Sequence, residues 1–196
     1  YLGTKALLPQ GSSPNGHYAL CVGSLQPHKN LLRTLQAFLL AKKTVPDLEM
    51  YVVGRKQSNF ASIEGLSELL ENPAIHMTGY LSDGELAEYY SKAAVFCFPS
   101  LEEGFGLPVI EAMSMGAAVL TSNASCLPEI AGPATLIDPT SVEEIANAIV
   151  KLSAISTSNK SKTKKRSERP KKKSLRSLTG CALSASFRVS WCVPIE

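Results

Sequence analysis

Two glutamates, Glu103 and Glu111, stand eight positions apart in the segment EEGFGLPVIE, and two glycines and a proline lie between them. Glycine lets the backbone bend and lets a ligand approach the amide groups closely. Proline is tolerated in the first turn of a helix, so Pro108 predicts a helix whose positive end faces that bend. Such a helix end suits a diphosphate, and carboxylates accept hydrogen bonds from sugar hydroxyls.

The role of each glutamate stays open on spacing alone. Glu103, in the predicted turn, can accept hydrogen bonds from sugar hydroxyls. Glu111 follows Pro108 by about one helical turn, and its carboxylate can accept both hydroxyls of a ribose diol. The alternative is that Glu111 only complements the helix dipole and that the glycines only form a turn.

Short apolar runs alternate with helical patterns over residues 17–155. The apolar runs predict six strands, at 18–22, 50–53, 75–79, 94–98, 117–122 and 134–138. Helical spacing, capping patterns and prolines predict helices at 30–45, 61–71, 82–93, 108–115 and 141–152. Strands that are apolar throughout and alternate with helices are typical of a parallel sheet covered on both faces. We therefore predict a doubly wound, mostly parallel, six-stranded Rossmann-like α/β sheet.

Doubly wound sheets bind ligands at the carboxyl ends of their strands, near the switch in strand order. GSLQPHKN follows the first predicted strand, and EEGFGLP follows the fourth. We expect these two loops to flank the switch point.

The two ends of the chain differ from this region. Residues 1–16 are rich in Gly, Pro and Ser and predict a linker. Residues 1–156 carry 9 Lys and Arg against 15 Asp and Glu, whereas residues 157–196 carry 11 against 2. The composition of 156–196 predicts a basic tail that is disordered or divergent. A nucleic-acid partner would depend on this tail alone, and such charge runs are usually solvated, so we expect no specific nucleic acid.

The five cysteines include no C-x-x-C pair. Cys21 and Cys97 lie in apolar runs, where a free thiol acts as a small hydrophobic side chain. No run reaches the ~18 apolar residues of a membrane helix. We therefore expect a cytoplasmic protein, at most peripheral to the inner face of a membrane, without a metal site.

The segment SLEEGFGLPVIEAMSMGAAVLTSNASCLPEIAG resembles the donor-site signature of the retaining glycosyltransferases of family 4, which have the two-domain GT-B fold. YALCVGSLQPHKNL is similar to the first strand and phosphate loop of that family, and GYLSDGELAEYYSKAAVFCFPS to the segment that leads into the signature. The resemblance covers nearly the whole of one GT-B domain. It implies transfer of a hexose from a nucleoside diphosphate sugar to an acceptor hydroxyl, with the anomeric configuration retained.

The resemblance also implies roles for individual residues. Glu103 matches the acid that contacts the donor sugar, and Glu111 matches the acid that binds the nucleotide ribose. Lys29 matches the basic residue that neutralises the leaving diphosphate, so Glu103 and Lys29 are the catalytic candidates. The residues expected to contact the donor nucleotide are Gly23, Ser24, Lys29, Phe105, Gly106, Leu107 and Glu111.

One position departs from the family pattern. Many relatives carry an arginine where this chain has Ser24, and His28 and Arg55 are the candidates to replace its charge. We interpret several other residues of the matching segments as structural: Ser125, Glu129, Tyr89 and Tyr90.

The resemblance implies neither a metal nor another cofactor, because Lys29 and the helix end would stabilise the leaving phosphate and no Asp-x-Asp motif occurs. It also implies a missing N-terminal GT-B domain that binds the acceptor, a glycan or a lipid-linked saccharide. We therefore expect a donor-binding half with weak or no turnover alone. The PHKN loop favours GDP-mannose as the donor.

Two rival interpretations share this architecture. A nicotinamide-dependent oxidoreductase should show G-x-G-x-x-G after the first strand, where this chain has GSLQPHKN. The second rival is a non-catalytic fragment that keeps the fold and binds a nucleotide sugar. A third rival, which does not depend on the architecture, is a nucleic-acid or nuclear-import role for the basic run KKRSERPKKK.

Overall fold

The computed structural model describes residues 14, 17–24, 26–54 and 63–167, and over 156–167 it describes the helical backbone alone. The predicted linker over 1–16 lies outside the described residues except for Pro14. Arg55 and the end of the basic tail, 168–196, also lie outside them, so what was expected of these segments stays a prediction.

Six strands and six α-helices alternate along the described residues. The strands are β1 (Tyr18–Val22), β2 (Glu49–Val53), β3 (Ile75–Gly79), β4 (Val95–Phe98), β5 (Val119–Ser122) and β6 (Thr135–Ile137). The helices are α1 (Leu31–Lys42), α2 (Leu66–Leu70), α3 (Asp83–Lys92), α4 (Leu107–Ser114), α5 (Leu127–Ile130) and α6 (Val142–Ser167). A short 3₁₀ helix, Pro27–Lys29, precedes α1.

The strands form one parallel sheet in the order β3-β2-β1-β4-β5-β6. The chain adds strands outward from β1 to β3 on one side, then returns and adds β4 to β6 on the other. The switch in strand order therefore lies between β1 and β4, as expected for a doubly wound sheet. The predicted six-stranded Rossmann-like sheet is confirmed, and each of these strand pairs is parallel.

Both faces of the sheet are buried. In β1, Ala19 and Cys21 join a core cluster with side chains of α1, α2 and α6. Tyr18 and Leu20 point to the opposite face and join a second cluster with α3, α4 and α5. Because alternate residues of a strand face opposite sides, the continuous apolar run 18–22 is what a sheet covered on both faces requires.

Helix α6 differs most from its prediction. The Ser141 hydroxyl accepts a hydrogen bond from the Glu144 amide at 3.1 Å, which confirms the predicted cap. The predicted end at Leu152 is wrong, because the helix continues to Ser167. The first part of the tail expected to be disordered is therefore helical. Residues 153–167 contain neither Gly nor Pro, so their sequence supplies no strong stop signal.

The other predicted helices differ from prediction mainly at their ends, and α5 was not predicted. The capping box of α3 is present, with the Ser82 hydroxyl at the Glu85 amide and the Glu85 carboxylate at the Ser82 amide. Helix α1 ends at Lys42 rather than at residue 45, and the Lys42 ammonium donates to the carbonyls of Pro46 and Leu48 in the turn toward β2. Within the described ranges, no helix combines the length and the apolar character needed to cross a bilayer.

Candidate functional site

The loops that follow β1 and β4 meet at the switch point. Gly23 and Ser24 directly follow β1, and the 3₁₀ helix then brings Lys29 next to the loop after β4. The Leu101 amide donates to the His28 carbonyl at 2.8 Å and joins the two loops. The predicted proximity of these loops is therefore confirmed. The cleft between them is lined in part by Gly23, Ser24, Lys29, Cys97 and Phe98.

Lys29, which lines this cleft, forms a direct ion pair with Glu103 of the loop after β4. The Lys29 ammonium donates to Oε1 of Glu103 at 2.7 Å and to Oε2 at 2.9 Å. The Glu103 side chain is 9% exposed and the Lys29 side chain 21% exposed. The ammonium also lies 5.2 Å from the centroid of the Phe98 ring, in cation–π range. An ammonium has three N–H groups, so Glu103 leaves one of them for a further acceptor.

The backbone of Gly23 lies beneath the side chain of Lys29. A Cβ atom on Gly23 would lie 3.8 Å from Cδ of Lys29, so the lysine chain crosses directly over this residue. A Cβ atom on Gly54, at the end of β2, would lie only 2.0 Å from the Gly23 carbonyl oxygen. Gly54 must therefore be glycine for the ends of β1 and β2 to approach this closely.

Asn30 joins three loops at this edge of the sheet. Its side-chain amide donates to the Pro99 carbonyl at 3.0 Å and to the Pro139 carbonyl at 2.6 Å, after β4 and β6 respectively. The residue is buried and adopts a left-handed conformation with φ of 59°. Asparagine tolerates this conformation better than most residues, so Asn30 both ends the 3₁₀ helix and fixes Lys29 beside the β4 loop. The sequence analysis did not identify it, because only the fold brings its two acceptors together.

Ser125 holds the backbone of Glu103. Its hydroxyl donates to the Glu103 carbonyl at 2.8 Å and lies 3.3 Å from the Glu103 amide. The Cys126 thiol is 3.3 Å from the same carbonyl oxygen. Ser125 has a φ of 58°, in the left-handed region that few serines adopt. The sequence predicts a structural role for Ser125. In the structure that role is to hold the backbone of the loop that carries Glu103.

Gly106 directly precedes helix α4 and packs closely against α5. Its φ is 80°, and a Cβ atom there would lie 2.6 Å from Cδ2 of Leu127 and 2.8 Å from Cδ1 of Ile130. A Cβ atom on Gly104 would meet no described atom within 4 Å. The second glycine of GFG is thus favoured by its left-handed backbone and by the close side chains of α5, while the first has open space around it. The two flanking candidates are exposed on this surface, Phe105 at 57% and Leu107 at 44%.

Glu111 is exposed on α4 and is held from α3 by Tyr90. The Tyr90 hydroxyl donates to Oε2 of Glu111 at 3.3 Å. Burial, and secondly the neighbouring Glu111 carboxylate, raise the pKa of Tyr90, so the phenol stays protonated and remains a donor. The interpretation of Tyr90 as a packing residue is incomplete, because its hydroxyl also contacts a predicted site residue.

Burial also disfavours the thiolate form of the two cysteines that line the cleft, because it raises the pKa of each thiol. Cys21 and Cys97 are buried, and burial raises the pKa of the Cys21 thiol to about 12. The Cys21 thiol donates to the Cys97 carbonyl at 3.1 Å. In the part of the chain that the structure describes, no three His, Cys, Asp or Glu side chains cluster as metal ligands would.

Sequence and structure comparisons find related proteins over most of the chain. The chain is 37% identical to O-antigen chain mannosyltransferase B of Escherichia coli over 139 residues, which are 68% of this chain and 36% of that protein. It matches the structure of sucrose-phosphate synthase from Thermosynechococcus elongatus with a TM-score of 0.62 and 28% identity, over 73% of this chain and 37% of the synthase. It also matches the C-terminal domain of a glycosyl transferase group 1 family protein from Francisella tularensis, with a TM-score of 0.60 and 21% identity, over 76% of this chain and 87% of that domain.

The chain spans little more than a third of the mannosyltransferase and of the synthase. The family model for glycosyl transferases group 1 matches residues 9–173 and so includes the whole sheet and both switch-point loops. The resemblance seen in the sequence signature is confirmed by this match and by the fold. We conclude that the chain belongs to the group 1 glycosyl transferases and has the Rossmann-like fold of one GT-B domain.

Proposed function

We propose that this chain is the donor-binding half of a retaining glycosyltransferase. It binds a nucleoside diphosphate sugar at the switch point, and the complete enzyme transfers the hexose to an acceptor hydroxyl. The observation that carries this proposal is the ion pair between Lys29 and Glu103, which lies where a doubly wound sheet binds its ligand.

The chemistry of the ion pair suits a sugar diphosphate. The third N–H group of Lys29 can donate to a phosphate oxygen, and the positive charge stabilises the diphosphate as it leaves. The Glu103 oxygens keep lone pairs that can accept hydrogen bonds from sugar hydroxyls. Phosphate and sugar can therefore be bound side by side by one pair of residues.

Helix α4 supplies the second half of the site. It begins at Leu107, and because Pro108 has no N–H and the Val109 amide donates to the Gly106 carbonyl, the amides of Gly106 and Leu107 are the ones that we expect to attract phosphate oxygens. Glu111 lies one turn further along the same helix and is exposed, so its carboxylate is available to a ribose diol. In this proposal Glu103 contacts the sugar, Lys29 and the amides that open α4 bind the diphosphate, and Glu111 binds the ribose.

GDP-mannose is the donor that we favour. The PHKN loop resembles that of mannosyl-transferring family members, and the E. coli relative with 37% identity is a mannosyltransferase by name. We expect Lys29 and the helix end to balance the diphosphate charge without a metal, so that EDTA leaves donor binding unchanged.

The acceptor site belongs to a domain outside this chain. The complete enzyme would close an N-terminal GT-B domain over the donor and would bring a glycan or lipid-linked acceptor with it. We therefore propose that the isolated chain binds donors but turns them over weakly or not at all.

Calorimetric titration with GDP, UDP, GDP-mannose and UDP-glucose tests the proposal. Lys29→Ala removes a charge-assisted hydrogen bond and should weaken nucleoside diphosphate binding by about 10- to 100-fold. Lys43→Ala is the matched control, since Lys43 is exposed at the end of α1 and should not affect binding. Absence of binding by the wild type, or equal binding by the Lys29→Ala variant, would contradict the proposal.

A further inference from the structure

The Tyr90 hydroxyl is not explained by packing. Tyr90 is 2% exposed, and its ring stands edge-on to Phe96 with centroids 5.2 Å apart. A phenylalanine would fill this space equally well, because the aromatic contact involves only the ring. The hydroxyl instead crosses from α3 to α4 and reaches the Glu111 carboxylate at 3.3 Å.

A buried phenol hydroxyl costs free energy unless it finds a hydrogen-bond partner. The partner in this case is the carboxylate of Glu111, an exposed residue of α4. The contact therefore satisfies the phenol and also restrains Glu111, since it selects one orientation of an otherwise mobile side chain.

The hydrogen bond from Tyr90 to Oε2 restricts the orientation in which the Glu111 carboxylate faces solvent. An exposed glutamate samples several rotamers and loses side-chain entropy when a ligand orders it. With Oε2 bonded to Tyr90, the carboxylate is restrained, and Oε1 together with the remaining lone pair of Oε2 can accept two hydrogen bonds. Two adjacent acceptors match the two hydroxyls of a vicinal diol.

We infer that Tyr90 is a positioning residue that orients Glu111 to recognise the 2′,3′-diol of the donor nucleotide. The inference rests on the proposed function, because it names the residue that gives that site its preference for an intact ribose. Tyr90 itself does not contact the ligand. Its effect is expressed only through the ability of Glu111 to distinguish a diol from its deoxy analogue.

The test compares each nucleoside diphosphate with its 2′,3′-dideoxy form by calorimetric titration of the full chain. For the wild type, GDP or UDP should bind at least about tenfold more tightly than its dideoxy form, as expected for hydrogen bonds to a charged acceptor. For Tyr90→Phe this ratio should fall by about 3- to 10-fold, while the affinity for the dideoxy form stays unchanged. Glu111→Gln should reduce the ratio similarly, and the double variant should reduce it no further.

Tyr18→Phe is the matched control. The Tyr18 hydroxyl is also buried and donates to the Tyr89 carbonyl at 2.8 Å, so its loss removes a phenol hydrogen bond in the same core cluster. Circular dichroism on heating verifies that each variant is folded at the titration temperature. The control should keep the wild-type preference for the diol.

The results that would overturn the inference alone differ from those that would overturn the proposed function. If the wild type prefers the diol but Tyr90→Phe keeps the full preference, or weakens both ligands equally, Tyr90 has only a structural role and the proposed function stands. If the wild type binds neither nucleotide, the proposed function fails and the inference fails with it.

Discussion

Single residues determine how charge is arranged at the switch point. The sequence analysis predicts separate roles for the two residues: Lys29 neutralises the diphosphate, and Glu103 contacts the sugar. In the structure each is the partner of the other, with both carboxylate oxygens within 2.9 Å of the ammonium. A bound diphosphate would therefore share Lys29 with Glu103, so we expect the charge on Glu103 to affect phosphate affinity as well as sugar recognition.

Glu103→Gln removes the negative charge beside Lys29 while keeping the size of the side chain. We expect affinity for GDP or UDP to stay unchanged or to rise by up to about tenfold, because the ammonium is then fully available to phosphate. The matching nucleotide sugar should lose its advantage over the bare nucleotide, since the sugar contact is impaired. Titration of both ligands measures the two effects.

Glu102→Gln provides the comparison at the neighbouring, exposed position. It removes a charge from the same loop without touching the ion pair, so both affinities should match the wild type. A Glu103→Gln variant that binds the nucleotide and the nucleotide sugar with equally reduced affinity would contradict the assigned role of Glu103.

Only some of the helices and loops around the site can be predicted from the sequence. Pro108 and the two glycines predict a turn followed by a helix, and α4 begins at Leu107 after Gly106. The sequence analysis missed α5, because four residues are too few to show a helical period. It also missed Asn30 and the Tyr90 hydroxyl contact, since both depend on residues that only the folded sheet brings together.

Gly106→Ala should destabilise the protein through the contact between α4 and α5. The new Cβ atom would lie 2.6 Å from Leu127 and would occupy a backbone with φ of 80°, so we expect a loss of about 2–4 kcal/mol in the free energy of unfolding. Urea denaturation followed by circular dichroism measures this loss. Donor affinity should fall as well, because the loop between Glu103 and α4 must shift.

Gly104→Ala is the internal control for that change. Its Cβ atom would meet no described atom within 4 Å, and its backbone lies outside the left-handed region. The free energy of unfolding should change by no more than about 0.5 kcal/mol. Equal destabilisation by the two alanine variants would show that the contact with α5 does not determine the choice of glycine.

In the part of the chain that the structure describes, helices cover both faces of one sheet. The sequence pattern predicts this arrangement. Apolar strands that alternate with helices predict the architecture, and the resemblance adds the site. The length of α6 could not be predicted, because its polar second half lacks apolar periodicity as well as any stop signal. Its first half belongs to the core, where Ile145 and Ile149 are fully buried on the face that also holds α1.

Ile149→Ala should therefore cost about 2–5 kcal/mol in the free energy of unfolding, as for other large-to-small changes in a core. Ile155→Ala makes the same chemical change on the same helix, where the side chain is 45% exposed, and should cost clearly less. Urea denaturation of both variants makes the comparison. Equal costs would contradict the position of α6 against the sheet.

The most direct test of the central proposal is a crystal structure of the chain soaked with GDP-mannose. We predict the diphosphate within hydrogen-bonding distance of the Lys29 ammonium and the amides that open α4, with the ribose hydroxyls on Glu111 and the sugar beside Glu103. A nucleotide bound away from Lys29 and from both glutamates would contradict the account.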